Sequence, residues 1–146
     1  MDRYKTFSKA DHMAVDLAWV VGRCVKSVEK KDYSWFFTLD DLSIIDTESD
    51  WRLMAERILI TSQDDGQLFG HESPVNAAKA VETSVNKSAV SGFQLDERTG
   101  DLFLNFQNGC TIQFVTLSSG YEGWRVGHGD QCIVCLGGGE LAIGPR

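Results

Sequence analysis

Short runs of alternating apolar and polar residues, cut repeatedly by turn residues, constrain this chain more than any other feature. Cys24-Val25-Lys26-Ser27-Val28 opens a period-two segment that breaks at Lys30-Lys31-Asp32, and Trp35, Phe37 and Leu39 then alternate with Phe36 and Thr38. Successive side chains of a strand point to opposite faces, so this pattern buries one face of a sheet and wets the other. Asp40-Asp41 supplies a turn, and Leu42-Ser43-Ile44-Ile45, Trp51-Arg52-Leu53 and Arg57 to Thr61 continue as strands up to the turn at Asp64-Asp65-Gly66. Ala89–Leu95, Asp101–Phe106, Cys110–Leu117, Tyr121–Val126, Gln131–Leu136 and Leu141–Ile143 repeat the pattern. Asn108-Gly109 joins two of these runs, and that dipeptide is among the strongest short-range hairpin signals.

Two stretches read differently. Asp11 is placed to cap a short helix carrying Met13, Ala14, Leu17, Ala18 and Val21 on one stripe, with Gly22 as its stop. Ser73 and Pro74 open a second helix whose narrow face is Ala77, Ala78, Ala80, Val81 and Val85, ending at Asn86. The first dozen residues are polar and patternless, which reads as a tail or an irregular edge. Trp35 to Leu39, a turn and Trp51-Arg52-Leu53 resemble Leu102 to Phe106, a turn and Trp124-Arg125-Val126. Each half follows a helix and a Val-containing strand. These features predict an α+β fold, mainly antiparallel sheet with two short helices, in one domain spanning residues 1–146. The copies would be 11–70 and 73–143 if the likeness reflects duplication of a helix-plus-meander unit.

Composition narrows the class. No uninterrupted apolar run of the 146 residues exceeds that of Leu17 to Val21, far short of a membrane span. The opening residues lack the apolar core of a secretory signal, and the cysteines are only four, so a cytoplasmic, reduced protein is the expectation. A formal charge of −7 argues against nucleic acid or an anionic membrane as partner, since phosphates repel such a surface.

No catalytic motif stands out. Cys132-Ile133-Val134-Cys135 has metal-like spacing, but Ile and Val favour a strand, which sends the two thiols to opposite faces. Gly137-Gly138-Gly139 precedes Leu141-Ala142-Ile143 rather than a helix, so it reads as a tight turn and not a phosphate cradle. His12, His71 and His128 fall in no HExxH arrangement, and there is no Gly-x-Ser-x-Gly elbow. The matched Trp51 and Trp124 read as core residues with an Arg stem laid across them. Neither a metal nor a cofactor is expected.

Charge is the most informative feature. Residues 40–72 hold nine carboxylates against Arg52 and Arg57, a net of −7 within this segment. Asp40, Asp41, Asp46, Glu48, Asp50, Asp64 and Asp65 fall at turns or polar strand positions, and are expected to share one solvated flank that meets a basic protein. Such a field speeds encounter and rejects acidic competitors.

Gly120-Tyr121-Glu122-Gly123-Trp124, Ile133 to Leu136 and Gly138-Gly139-Glu140-Leu141-Ala142 resemble a family of small uncharacterised bacterial proteins, encoded singly or beside polymorphic toxin genes, where they resemble immunity proteins. The likeness covers roughly the last 60 residues and, loosely, the aromatic hairpin at 33–45. It implies a bacterial cytosolic protein whose partner is a cognate toxin domain, and the acidic balance points to a basic nuclease. Two other readings stand beside it. One is a small enzyme or ligand-binding domain with a pocket between the repeats using His128, Glu140 and Tyr121. The other is a homodimer formed through sheet edges.

Overall fold

Alternating burial turns into strands wherever turn chemistry brackets it. The computed structural model describes residues 5–7 and 16–146. Among these, the strands are β1 (Lys5–Phe7), β2 (Val25–Lys31), β3 (Ser34–Leu39), β4 (Ile44–Thr47), β5 (Asp50–Ala55), β6 (Ile58–Ser62), β7 (Val90–Leu95), β8 (Leu102–Phe106), β9 (Cys110–Val115), β10 (Trp124–His128), β11 (Gln131–Gly137) and β12 (Glu140–Pro145). One α-helix, α1 (Ala77–Ser84), and a 3-10 turn at Ala18–Val20 accompany them. Trp35, Phe37 and Leu39 of β3 are buried, as are Leu102, Leu104 and Phe106 of β8 and Cys110, Ile112 and Phe114 of β9.

The strands form two antiparallel sheets, one in the order β1-β12-β11-β10-β4-β3-β2 and the other β6-β5-β9-β8-β7. The chain traces one path twice. Strands β2, β3 and β4 lie side by side in the larger sheet, after which the chain crosses to the smaller sheet as β5-β6. Strands β7, β8 and β9 lie side by side in the smaller sheet, after which the chain crosses back as β10-β11-β12. Each crossing strand lands beside the third strand of the other meander, β5 on β9 and β10 on β4. A bulge recurs at the same place in each copy, between Val25 and Ser27 in the β2–β3 pair and between Val90 and Gly92 in the β7–β8 pair. The two halves are therefore interlocked.

Aromatic side chains join the sheets. The Phe37 ring stands edge-on to Trp51 and Phe114, with centroids 5.1 Å away in each case. Trp35 meets Trp51 at 5.0 Å. Trp124 is buried as well, and its indole N–H donates to the Gly100 carbonyl at 2.7 Å. Helix α1 seals one open side. Ala77, Val81 and Val85 face the core, and the Glu82 carboxylate accepts the backbone N–H of Val28 at 2.9 Å, satisfying part of the β2 edge.

These observations correct the expected fold class. Among the described residues the protein is β-rich, built from two sheets with a single α-helix, and is not the expected α+β fold with two helices. The first expected helix begins outside the described residues, at Asp11. Its described part is a 3-10 turn whose Leu17 and Val20, three apart, are both buried. Trp19, Val20 and Val21 are weak helix formers. The backbone at their end is used across the molecule: Gly22 N–H donates to Val90 O at 2.7 Å, and Val90 N–H donates to Arg23 O at 2.8 Å. Long-range pairing thus outcompetes a marginal helix. The second helix exists but starts later than Ser73-Pro74 suggest, because the Asn76 side chain accepts from Lys79 N–H and caps it. Lys5–Phe7, within the expected tail, forms β1 against β12.

The triple glycine makes the β11–β12 turn. Gly137, Gly138 and Gly139 have φ of +88°, +61° and +80°. A Cβ on Gly137 would stand 2.7 Å from Ser118 O and 2.8 Å from Tyr121 O, both backbone atoms. Gly137→Ala combines left-handed strain with a clash that no rotamer relieves, and is expected to cost about 2–4 kcal/mol, read as a lowered midpoint in urea unfolding.

Candidate interaction surface

The acidic residues fall into two groups because β4 separates them. Asp40 and Asp41 precede β4, whereas Asp46, Glu48 and Asp50 lie at its far end and in the crossing to β5. Sequence proximity within an acidic segment therefore does not make one flank.

At the near end the carboxylates are engaged. Asp40 lies 3.5 Å from the Arg23 guanidinium. Asp41 Oδ1 accepts the Ser43 N–H at 3.0 Å, and its Oδ2 lies 3.6 Å from His128 Nδ1. Ser43 Oγ is 2.7 Å from the same His128 nitrogen, and the imidazole stacks on Trp19 at 3.8 Å with rings 4° from parallel. A Ser, His and Asp together evoke hydrolytic machinery, which needs Ser and Asp on different ring nitrogens. Here both face Nδ1, and Ser43 is only 2% exposed. The group is a clamp tying the β3–β4 turn to the end of β10.

Burial alone would raise the Asp41 pKa. The backbone and hydroxyl hydrogen bonds of Ser43, with the His128 and Arg23 charges, outweigh it and hold the carboxyl below its usual value. A depressed folded-state pKa contributes stability above the unfolded value and loses it as pH falls through the folded one. Ser43→Ala is expected to raise the Asp41 pKa toward the ordinary carboxylate value, read by NMR titration, and to flatten the stability loss below about pH 4.

At the far end the carboxylates gather on a corner between the sheets. Thr47 Oγ1 accepts the Ser49 N–H at 2.9 Å, and the Ser49 hydroxyl donates to Val115 O at 2.6 Å, so the Glu48-Ser49 crossing is held at both sides. Asp46 and Arg125 are direct cross-strand neighbours. The guanidinium donates to both Asp46 oxygens, at 2.6 and 3.3 Å, and this pairing accounts chiefly for the raised Arg125 pKa. Asp46, Glu48, Glu122 and Arg125 line one shallow cleft, and Asp50, Asp64 and Arg52 line the next. The two clefts thus carry five carboxylates against two guanidiniums, and Lys30 lines a third cleft that shares Asp64. Glu48 accepts the Ser34 hydroxyl at 3.2 Å, and the Gln63 amide donates to Asp50. Two exposed tyrosines adjoin the first cleft in sequence, Tyr33 beside Ser34 and Tyr121 beside Glu122; they are 86% and 81% exposed.

Asp65 sits near Asp64 but turns inward, accepting from the Thr61 hydroxyl at 2.7 Å. Glu122, Tyr33 and Tyr121 were not among the expected contact residues. Glu122 lies far from residues 40–72 in sequence, and only the β4–β10 pairing brings it close. His128, Glu140 and Tyr121 do not converge: His128 lies across from Gln131 at one end of β11, and Glu140 across from Gly137 at the other. Cys24, Cys110, Cys132 and Cys135 are free thiols, with Cys135 in the core and Cys132 half-buried. Among the described residues, no group of three or more His, Cys, Asp or Glu is placed to hold a metal, and no helix is long and apolar enough to cross a membrane.

Residues 17–144 match the model of a family of unknown function, DUF6188. The chain belongs to that family. The match takes in both meanders, both crossings and every carboxylate of the corner, so the acidic rim lies on the DUF6188 fold itself. No curated protein and no solved structure matches the chain.

The Asp46–Arg125 pair tests how the rim is held. Asp46 is mostly buried and its partner half exposed, so Arg125→Ala strands a carboxylate in a desolvated site. A loss of about 1–3 kcal/mol is expected, with a double-mutant cycle against Asp46→Ala returning most of it as coupling.

Proposed function

We propose that this DUF6188 protein is a non-enzymatic binding protein of the bacterial cytoplasm, an immunity protein that neutralises a toxin, specifically a basic nuclease. The observation that carries the reading is the pair of shallow clefts flanking the Glu48-Ser49 crossing, one lined by Asp46, Glu48 and Glu122 against Arg125 and the other by Asp50 and Asp64 against Arg52, with Lys30 lining a neighbouring cleft beside Asp64. A nuclease must present cationic surface to its phosphate substrate, and a rigid acidic rim is complementary to that surface. Glu48, Asp50, Asp64 and Glu122 would steer the encounter. Tyr33 and Tyr121 supply large, stiff side chains of the kind that anchor interfaces and slow dissociation. The C-terminal likeness to immunity proteins supports the same reading.

The geometry redistributes the roles expected from sequence. Glu48, Asp50 and Asp64 keep a contact role, Asp46 positions Arg125, and Asp40 and Asp41 serve the clamp beneath the β3–β4 turn. The reading predicts a toxin domain encoded beside this gene, and the test uses that domain. Replacing Glu48, Asp50 and Asp64 with Gln, Asn and Asn should slow association about tenfold or more at low salt and little at high salt. Asp40→Asn with Asp41→Asn should leave the association rate nearly unchanged. Equal slowing by both sets, or failure of the wild-type protein to bind and inhibit that toxin domain, overturns the proposal.

A further inference from the structure

We propose that the cleft between the two sheets where α1 begins binds a small zwitterion of the α-amino acid class. The proposal does not rest on the toxin reading, although the two share Asp64. Three parts of the chain wall this cleft. Lys30 of β2 and Trp35 of β3, which are cross-strand partners, give the side belonging to the larger sheet. Residues 63–67, which follow β6, form the second side, and Val75, Asn76 and Ala77 form the third. The volume is about 510 Å³, within the range of clefts that hold small molecules.

Hydrogen bonds fix the wall that follows β6. The Gln63 side-chain carbonyl accepts the Trp51 N–H at 2.5 Å, and its backbone N–H donates to Trp51 O at 3.3 Å. The Gln67 amide donates to Asp64 O at 3.1 Å, and Asp65 is committed to the Thr61 hydroxyl at 2.7 Å. A site held by its own bonds loses little conformational freedom when a ligand enters.

The groups left over carry opposite charges on different walls. The Lys30 ammonium stands 5.6 Å from the Trp35 ring centroid. The Asp64 carboxylate accepts only the Gln63 amide, at 3.5 Å. Among the described residues neither Lys30 nor Asp64 belongs to an ion pair, so two opposite charges line one cleft without meeting. Two further donors stand on the side of Lys30. Trp35 is 7% exposed, and its indole N–H has no acceptor among the described residues. The Asn76 side chain caps the N–H of Lys79, which leaves the N–H of Ala77, the first residue of α1, without an intrahelical partner.

Charge selects the ligand. A simple anion meets the Asp64 carboxylate and a simple cation meets the Lys30 ammonium, so one wall opposes each. A molecule carrying both charges satisfies both walls, its carboxylate taken by Lys30 and the neighbouring N–H donors and its ammonium by Asp64. The cleft is larger than such a head group needs. The Gln67 and Asn76 side chains line the remainder, which suits a short polar side chain.

The experiment titrates three compounds of similar size into the intact protein and follows its amide and indole N–H resonances. L-Glutamine carries both charges, glutaramate lacks the ammonium and 4-aminobutanamide lacks the carboxylate. L-Glutamine is expected to shift the Trp35 indole N–H and the amides of residues 63–67 and 77 saturably. The other two should bind about tenfold more weakly or worse, each having lost a charge-assisted contact. Lys30→Met and Asp64→Asn should each weaken L-glutamine to a similar degree, whereas Lys30→Arg, which keeps the charge, should retain most of the affinity. Glu48→Gln, at the neighbouring cleft, should leave it unchanged. No saturable shift with L-glutamine, equal binding of either matched compound, or loss of binding in Glu48→Gln overturns the proposal. The matched compounds are read on the wild-type protein, so that outcome does not depend on how any variant folds.

Discussion

Phe37 stands where the two sheets meet, and the rest of the molecule depends on that contact. It lies on β3, the second strand from one end of the larger sheet's order, yet touches Trp51 of β5 and Phe114 of β9, both in the smaller sheet. Edge-on aromatic pairs contribute about 0.5–1.5 kcal/mol each beyond the area they bury. Their larger effect here is geometric. They set the two sheets at one spacing and angle, and so decide how tightly the chain must turn as it crosses between them. The Glu48-Ser49 crossing is that turn, and Ser49 ties it down by bonding both Thr47 and Val115.

The interlocked path explains where the charge collects. Glu48 lies in the crossing and belongs to neither sheet, so its side chain faces solvent, and Asp50 opens β5 half-buried. The second crossing, from β9 to β10, passes the same corner and brings Glu122 and Arg125 with it. An acidic rim on this fold thus follows from placing carboxylates at the crossings. The opposite end of β4 shows the other use of a carboxylate. Asp41 there is spent on Ser43 and His128, holding a turn whose Leu42 adopts a φ of +69°.

Much of the strand content was legible in the residues, because side-chain alternation and turn dihedrals are local. Asn108-Gly109 marks the β8–β9 hairpin, and Gly109 has the φ of +90° that the turn demands. The likeness of the two Trp-Arg-aliphatic triplets points at equivalent places in the path, with both tryptophans buried. The apolar stripe that suggests an N-terminal helix suits a 3-10 turn equally well, and its described part, Ala18–Val20, is such a turn whose following backbone pairs elsewhere. Strand β1 has no sequence signature because three residues leave no period to read. Of the acidic set, Asp46 could not be told from its neighbours by sequence, since its partner Arg125 is 79 positions away.

The sequence by itself determined which segments would be strands, where the hairpins would close and that the surface would be acidic. The tertiary structure decided which strands neighbour which, and with that which carboxylates stand together and which are paired to arginines. The physical reason is that backbone hydrogen bonds between strands are chemically alike for almost any pair of residues. Partner choice therefore comes from packing the whole core at once, and cannot be read one segment at a time.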